Sequence, residues 1–205
     1  MFQLKTSLQH GLTQLKLNMP QKNQNDLLSY MDLLIKWNRS FNLISNSEPK
    51  EVLYQHILDS LTIVPYIDGQ TILDFGTGAG LPGIPLALAL PERQFVLLDS
   101  VGKKINFVRT AVAELKLQNV EVVQARVEAF ASPHCFDNVV TRAFGTASDI
   151  IKKTKHLICP EGKWLLMKGL YPTEELQAIN AKYEVYSLQV PDLAKQRHLV
   201  RIFKH

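Results

Sequence analysis

The segment Asp74-Phe75-Gly76-Thr77-Gly78-Ala79-Gly80 follows the apolar run Ile72-Leu73 and precedes a second apolar block that begins at Ile84. A strand that ends on an acid and turns at once through three alternating glycines constrains this chain more than any other feature. Glycine has no Cβ, so such a turn takes positive φ at little cost and lets a ligand lie close to the backbone. From here the chain alternates strand and helix: strand 71–75, helix 84–90, strand 95–99, helix 103–117 and strand 120–124. Strand 138–141, helix 147–158 and strand 163–168 continue the alternation, and 183–190 with 199–203 form two strands without a helix between them. Short β-α-β units with apolar, β-branched strands predict a seven-stranded, mostly parallel sheet covered on both faces, closed at one edge by an antiparallel pair.

The same residues contain a literal G-x-G-x-x-G, Gly78-Ala79-Gly80-Leu81-Pro82-Gly83, and Asp99 lies about 20 residues on, where a dinucleotide site places its ribose-binding acid. Pro85 counts against that alternative. In the dinucleotide fingerprint the helix opens within the glycines, which would put Pro85 inside it at a cost of about 3 kcal/mol. A helix that begins near Ile84 instead leaves Pro85 in the first turn, where proline is tolerated. The spacing D-x-G-x-G-x-G resembles the cofactor loop of Rossmann-like methyltransferases, in which the glycines curl under the methionine part of S-adenosylmethionine. A P-loop is excluded, because no Gly-Lys-Ser or Gly-Lys-Thr occurs.

Residues 1–66 read as a helical extension packed on a core of 67–205. Leu4, Leu8, Leu12 and Leu15 recur at helical spacing, as do Leu27, Leu28, Met31, Leu34 and Ile35 after Pro20. Ser47-Glu48-Pro49 opens a third helix, with the Ser47 hydroxyl as its expected cap. Trp37 and Phe41 read as core, with stacking of a base as the alternative. With 205 residues, 46% of them hydrophobic, the chain is long enough to bury a substantial core. No apolar run approaches the roughly 20 residues that span a bilayer, and the N-terminus lacks the apolar block of a signal peptide. Cys135 and Cys159 have no metal-type spacing and read as buried thiols suited to a reducing cytoplasm. The net charge of +4 is compatible with an anionic partner but too modest to establish one.

Ligands of such sheets bind beyond the carboxyl ends of the strands. The residues there are Asp74 and Gly76, Asp99-Ser100, Arg126-Val127-Glu128, Thr141-Arg142 and Lys168-Gly169. Asp99 is suited to ribose hydroxyls, and Val127-Glu128 to an adenine edge, with Glu128 as a helix-start acid in the alternative.

Trp37-Asn38-Arg39-Ser40-Phe41-Asn42-Leu43, His56-Ile57-Leu58-Asp59-Ser60-Leu61, the glycine loop with its Leu81-Pro82-Gly83-Ile84-Pro85 extension, and Leu97-Leu98-Asp99-Ser100 with Lys103-Lys104 occur in this order. Arg126-Val127-Glu128, Thr141-Arg142-Ala143 and Arg197-His198-Leu199-Val200 complete the series. Over nearly the whole chain this ordered set resembles the bacterial glucose-inhibited division protein B family, the ribosomal RNA small subunit methyltransferases G. The resemblance implies a class I, Rossmann-like fold and methyl transfer from S-adenosylmethionine to N7 of one guanine in 16S ribosomal RNA, near the decoding centre. It implies cofactor contacts from Gly76, Leu81, Val127, Glu128 and Arg142. Asp74, Thr77, Gly78 and Asp99 join them on the physical argument above, and Arg142 and Arg197 are the candidates nearest the chemistry. The implied partner is 16S RNA or the small subunit, with no metal and no membrane, and the protein is expected to be a cytoplasmic monomer. Two positions depart from the pattern. Thr141 replaces the more usual serine and keeps a hydroxyl; Gln196 replaces a glutamate and so removes an acid next to Arg197.

Guanine N7 carries an unprotonated lone pair, so its methylation needs no general base, and catalysis would rest on holding the base in line. An arginine bidentate to O6 and N7 is the usual way to read guanine. Here it would block the nucleophile, so Arg142 should contact the cofactor, a phosphate or O6 alone. Lys103, Lys104, Arg109, Lys152, Lys153, Lys155, Lys168, Arg197 and Arg201 are candidates for phosphate contacts. His56 and Asp59 share a helical face and read as braces of the pocket. A methyltransferase for a small molecule or protein, a non-catalytic RNA-binding or ribosome-assembly factor, and an NAD-dependent oxidoreductase are the rival classes.

Overall fold

The computed structural model describes residues 2–142 and 145–204. Seven strands form one sheet: β1 (Thr71–Phe75), β2 (Gln94–Asp99), β3 (Val120–Gln124), β4 (Phe136–Arg142), β5 (Ile158–Lys168), β6 (Tyr183–Ser187) and β7 (His198–Phe203). Their order is β3-β2-β1-β4-β5-β7-β6. The first five run parallel, and β7 is antiparallel to both β5 and β6. Strand order reverses at β1, which opens a crevice between the ends of β1 and β4. The expected α/β architecture and its antiparallel edge are therefore both present.

Helices α1 (Phe2–Gln14), α2 (Gln21–Phe41), α3 (Pro49–Val52) and α4 (Asp59–Leu61) precede the sheet. A π-helical turn, Leu53–Leu58, links the last two. After β1 come α5 (Gly83–Ala89), α6 (Gly102–Glu114), α7 (Ala147–Thr154) and α8 (Thr173–Gln177). The leucine stripes work as the spacing predicts: Leu8, Leu12, Leu27, Met31 and Leu34 are buried in one cluster with Ile84 and Phe107 of α5 and α6 and with Ile72, Phe95 and Leu97 of the sheet. The opposite sheet face, with Leu73, Phe75, Val139 and Leu166, packs on Ile150 and Leu176 of α7 and α8. Period-2 alternation along each strand assigns side chains to these two layers. Trp37 meets Phe107 edge-on at 5.6 Å, whereas Phe41, expected in the core, remains 38% exposed.

Three further local expectations are corrected. The helix expected to reach residue 158 stops at Thr154, because Ile158 is already paired with Phe136 as the start of a longer β5. α3 is capped by the Glu48 carboxylate, which accepts from the Glu51 amide, while the Ser47 hydroxyl accepts from the Asn38 side chain. Helix α8 was not foreseen. Cys135 and Cys159 are not buried thiols. Residue 135 is exposed just before β4, residue 159 lies on β5, and parallel pairing of those strands brings their Cα atoms to 4.9 Å as a disulfide. Among the described residues, no helix is long and apolar enough to cross a membrane.

Candidate active site

The glycine loop curls over the end of β1 with positive φ at Gly76 (70°), Gly78 (60°) and Gly80 (84°). Helix α5 starts at Gly83, so Pro85 falls in its first turn. Asp74 lies beneath the loop, 1% exposed, and ties both ends of it: Oδ2 accepts from the Thr77 hydroxyl at 2.6 Å and from the Gly83 amide at 2.8 Å. Burial pushes its carboxyl up to about 6, against these two hydrogen bonds. Asp99, at the end of β2, accepts from the Gly78 amide at 2.9 Å through Oδ2 and from the Val101 amide at 2.9 Å through Oδ1. Each carboxylate oxygen keeps a second lone pair for a ligand.

These residues border a cavity of about 450 Å³. Gly76, Thr77, Gly78, Leu81, Asp99, Val127, Glu128 and Arg142 all line it, so eight of the nine residues expected at a cofactor meet there; Asp74 is the ninth, one layer below. Leu43, Ile44, Ser100, Val101, Lys104 and Lys153 also line it. Leu43 belongs to the tryptophan-led motif and could have been suspected; Ile44 carries no sequence signal. Val127 opens a short 3-10 turn, and Glu128 points outward to Lys153 at 3.2 Å.

The N-terminal helices complete the site. The buried Tyr30 hydroxyl of α2 donates to the Ala79 carbonyl in the glycine loop. The π-helical turn carries His56, and Asp59 follows it at the start of α4. Asp59, 2% exposed, accepts from Arg142 through Oδ2 at 3.3 Å and from Arg197 through Oδ1 at 3.0 Å. Burial pushes the Asp59 carboxyl up, while the two guanidiniums pull it down. Arg142 also donates from Nη1 to the Gln55 carbonyl and from Nη2 to His56 Nδ1, both at 3.3 Å. Guanidinium only donates, so Nδ1 is the acceptor and the proton of neutral His56 sits on Nε2. Burial and the two arginines hold His56 down at about 4.

Arg142 and Arg197 are thus brought together on one acid, although Arg197 does not line the cavity. The concern raised by Gln196 is resolved in space: the acid for Arg197 comes from α4. Two other candidate cations are engaged elsewhere. Lys168 pairs with Glu175 at 2.7 Å, and Arg201 bonds Asp68 near the opposite end of the strands at 2.9 Å. Among the described residues, no cluster of His, Cys, Asp or Glu could hold a metal ion.

A cationic nucleoside cofactor fits this donor set. Asp74 Oδ1 and Thr141 Oγ1, at neighbouring positions of β1 and β4, are buried without a hydrogen-bond partner among the described residues. A Cβ on Gly78 would meet nothing nearer than the Gly76 carbonyl at 3.9 Å, so this side of the loop is open to a ligand.

The rRNA small subunit methyltransferase G family, GidB, matches residues 23–200. The chain belongs to this family. The ribosomal RNA small subunit methyltransferase G of an Enterobacter strain is 45% identical over 93% of this chain and 94% of its own length. That of Nitrosococcus oceani is 46% identical over 95% and 92%. Among solved structures, the tRNA (m1A58) methyltransferase TrmI of Aquifex aeolicus covers 72% of this chain and 68% of its own at 16% identity and TM-score 0.59. A SAM-dependent methyltransferase of the same organism covers 76% and 93% at 18% identity and TM-score 0.56. Both share the class I methyltransferase fold with the family member described here.

Proposed function

We propose that this protein transfers a methyl group from S-adenosylmethionine to N7 of a guanine in 16S ribosomal RNA. The observation that carries the reading is the joining of the glycine-loop cavity to the Asp59, Arg142 and Arg197 cluster at the sheet's switch point, in a chain of the methyltransferase G family. Gly76 and Gly78 would receive the methionine part, with Asp74 supplying negative charge below it. Asp99 would accept from the ribose hydroxyls, and Val127 and Leu81 would give apolar contact to the rest of the nucleoside. When bound, the cofactor supplies an electrophilic methyl group.

The chain's own residues then have to hold the purine in line and leave N7 bare. Arg142 suits that requirement, because both of its terminal nitrogens are already held by Asp59, Gln55 and His56. Three of its five N–H groups are committed in this way, which leaves fewer ways to form the two-pronged contact with O6 and N7. His56, neutral down to about pH 4, adds no positive charge near the base. The extension 1–66 is part of the site under this reading, since Tyr30, His56 and Asp59 all come from it. The protein would work as a cytoplasmic monomer on 16S RNA or on the small subunit, near the decoding centre, without a metal or membrane partner.

The test is transfer of labelled methyl to small subunits and to deproteinised 16S RNA from cells lacking the protein, with the label mapped by cleavage at 7-methylguanine. One labelled guanine, lost in Gly76→Ala or Arg142→Ala, supports the reading. No incorporation into either RNA, despite cofactor binding, overturns it.

A further inference from the structure

We infer that Leu170 and Tyr171 form a nucleobase platform at the mouth of the site, on which Tyr171 stacks a base of the RNA strand beside the one being modified. The inference rests on the RNA reading above and goes beyond it by naming residues that the cofactor and arginine clusters do not include.

Leu170 and Tyr171, 75% and 52% exposed, are the most exposed large apolar side chains among the described residues. They are adjacent in the turn between β5 and α8. Contiguous exposed apolar surface marks contact sites, whereas scattered single apolar side chains do not. The strand register fixes where this turn emerges. Met167 is paired with Arg142 and Lys168 with His198, so the turn leaves the sheet at the edge from which Arg142 and Arg197 project.

The turn is also anchored. His198 Nδ1 donates to the Gly169 carbonyl at 3.0 Å, and the His198 ring meets the Tyr171 ring edge-on at 5.6 Å and 85°. The Thr173 amide bonds the Tyr171 carbonyl at 3.1 Å. Tyr171 is therefore a braced aromatic ring, half open to solvent, packed on His198, the chain neighbour of Arg197.

An aromatic ring on the side of the sheet that carries two guanidiniums fits a single-stranded RNA segment, whose bases stack on aromatics while cations meet its phosphates. The chemistry asks for such a support. A base inside a stacked helix cannot enter a cavity beneath it, so it is extruded, and the neighbours it leaves are stabilised by stacking on side chains. Two side chains cover far too little surface for a stable protein partner.

The test measures methylation kinetics on small subunits and on 16S RNA for the wild type, Tyr171→Ala, Tyr171→Phe and Leu170→Ala, with S-adenosylmethionine affinity measured by calorimetry on each. Loss of one stacked base predicts a rise in KM for RNA of roughly 5- to 150-fold in Tyr171→Ala. Tyr171→Phe, which keeps the ring, should recover the wild-type KM, and Leu170→Ala should fall between. Cofactor affinity should stay within about twofold throughout, which also reports that each variant is folded. If the wild type methylates RNA and Tyr171→Ala matches it in KM and kcat, the platform is overturned and the RNA reading stands. If the wild type methylates neither RNA, the reading falls and the platform with it.

Discussion

The Tyr30 hydroxyl donates a 2.6 Å hydrogen bond to the Ala79 carbonyl, joining the second helix of the N-terminal extension to the middle of the glycine loop. Burial raises the phenol far above its ordinary range, so it stays a donor at every working pH. Tyr30→Phe keeps the packing against Phe107 and removes only this bond. Leaving the Ala79 carbonyl unsatisfied should cost about 1–3 kcal/mol. The expected result is a lowered melting temperature and several-fold weaker S-adenosylmethionine binding by calorimetry. Unchanged affinity would show that the loop keeps its shape without the tyrosine.

Gly78 separates backbone strain from crowding. A Cβ there meets open space, yet φ is +60°, where an L side chain is disfavoured by about 1–2 kcal/mol. Its amide is also the donor to Asp99. Gly78→Ala should therefore lower stability by about that amount and weaken cofactor binding further, because the new methyl projects to the open side. A variant that lost stability but bound cofactor normally would place the ligand elsewhere.

What sequence could and could not show follows from the range of each interaction. The acid and glycines of the β1 loop, Asp99 at the end of β2 and the Val127 turn were legible, because local backbone geometry dictates such residues at such places. Tyr30 was not: within its helix it extends a stripe with Leu27 and Met31, and nothing local reveals that its hydroxyl reaches a loop 49 residues away. Gln196 offers Arg197 no acid next door, and the one it uses lies 138 residues earlier, at Asp59. The pairing of Cys135 with Cys159 is hidden for the same reason. Their meeting depends on β5 beginning at Ile158, where the helical pattern of α7 masks the strand start.

Two buried groups titrate in opposite senses. His56 has its pKa lowered from 6.5 to about 4, so the unfolded chain binds the proton more tightly, and stability falls as pH drops from about 6.5 to 4. Asp74 is raised from 3.8 to about 6, so the folded chain binds the proton more tightly, and stability is gained as pH falls through about 6 to 4. In the wild type the two partly cancel. Relative to it, His56→Gln should gain stability on acidification across this window and Asp74→Asn should lose it more steeply, as measured by urea unfolding at several pH values. Parallel curves for all three proteins would contradict the assignments. S-adenosylmethionine affinity should also drop below about pH 6, where Asp74 becomes neutral, and Asp74→Asn should abolish that dependence.

Asp59 is the residue whose loss should separate the arginine cluster from the cofactor loop. It is buried, contacts Arg142 and Arg197 at once, and touches none of the glycine-loop atoms through the hydrogen bonds it makes. Asp59→Ala leaves two guanidiniums without their shared acceptor in a desolvated setting, and breaking a buried pair in this way costs about 3–5 kcal/mol. Asp59→Asn keeps the shape and one acceptor oxygen, so it should fold at a smaller cost and allow kinetics. With the arginines free to shift by about 1 Å, methyl transfer should fall on the order of 100-fold in kcat, because alignment is the proposed source of rate. Binding of S-adenosylmethionine, governed by Asp74, Asp99 and the glycines, should change far less. If Asp59→Asn instead lost cofactor affinity and kept kcat, the arginine cluster would serve cofactor binding alone, and the alignment of guanine would have to come from other residues.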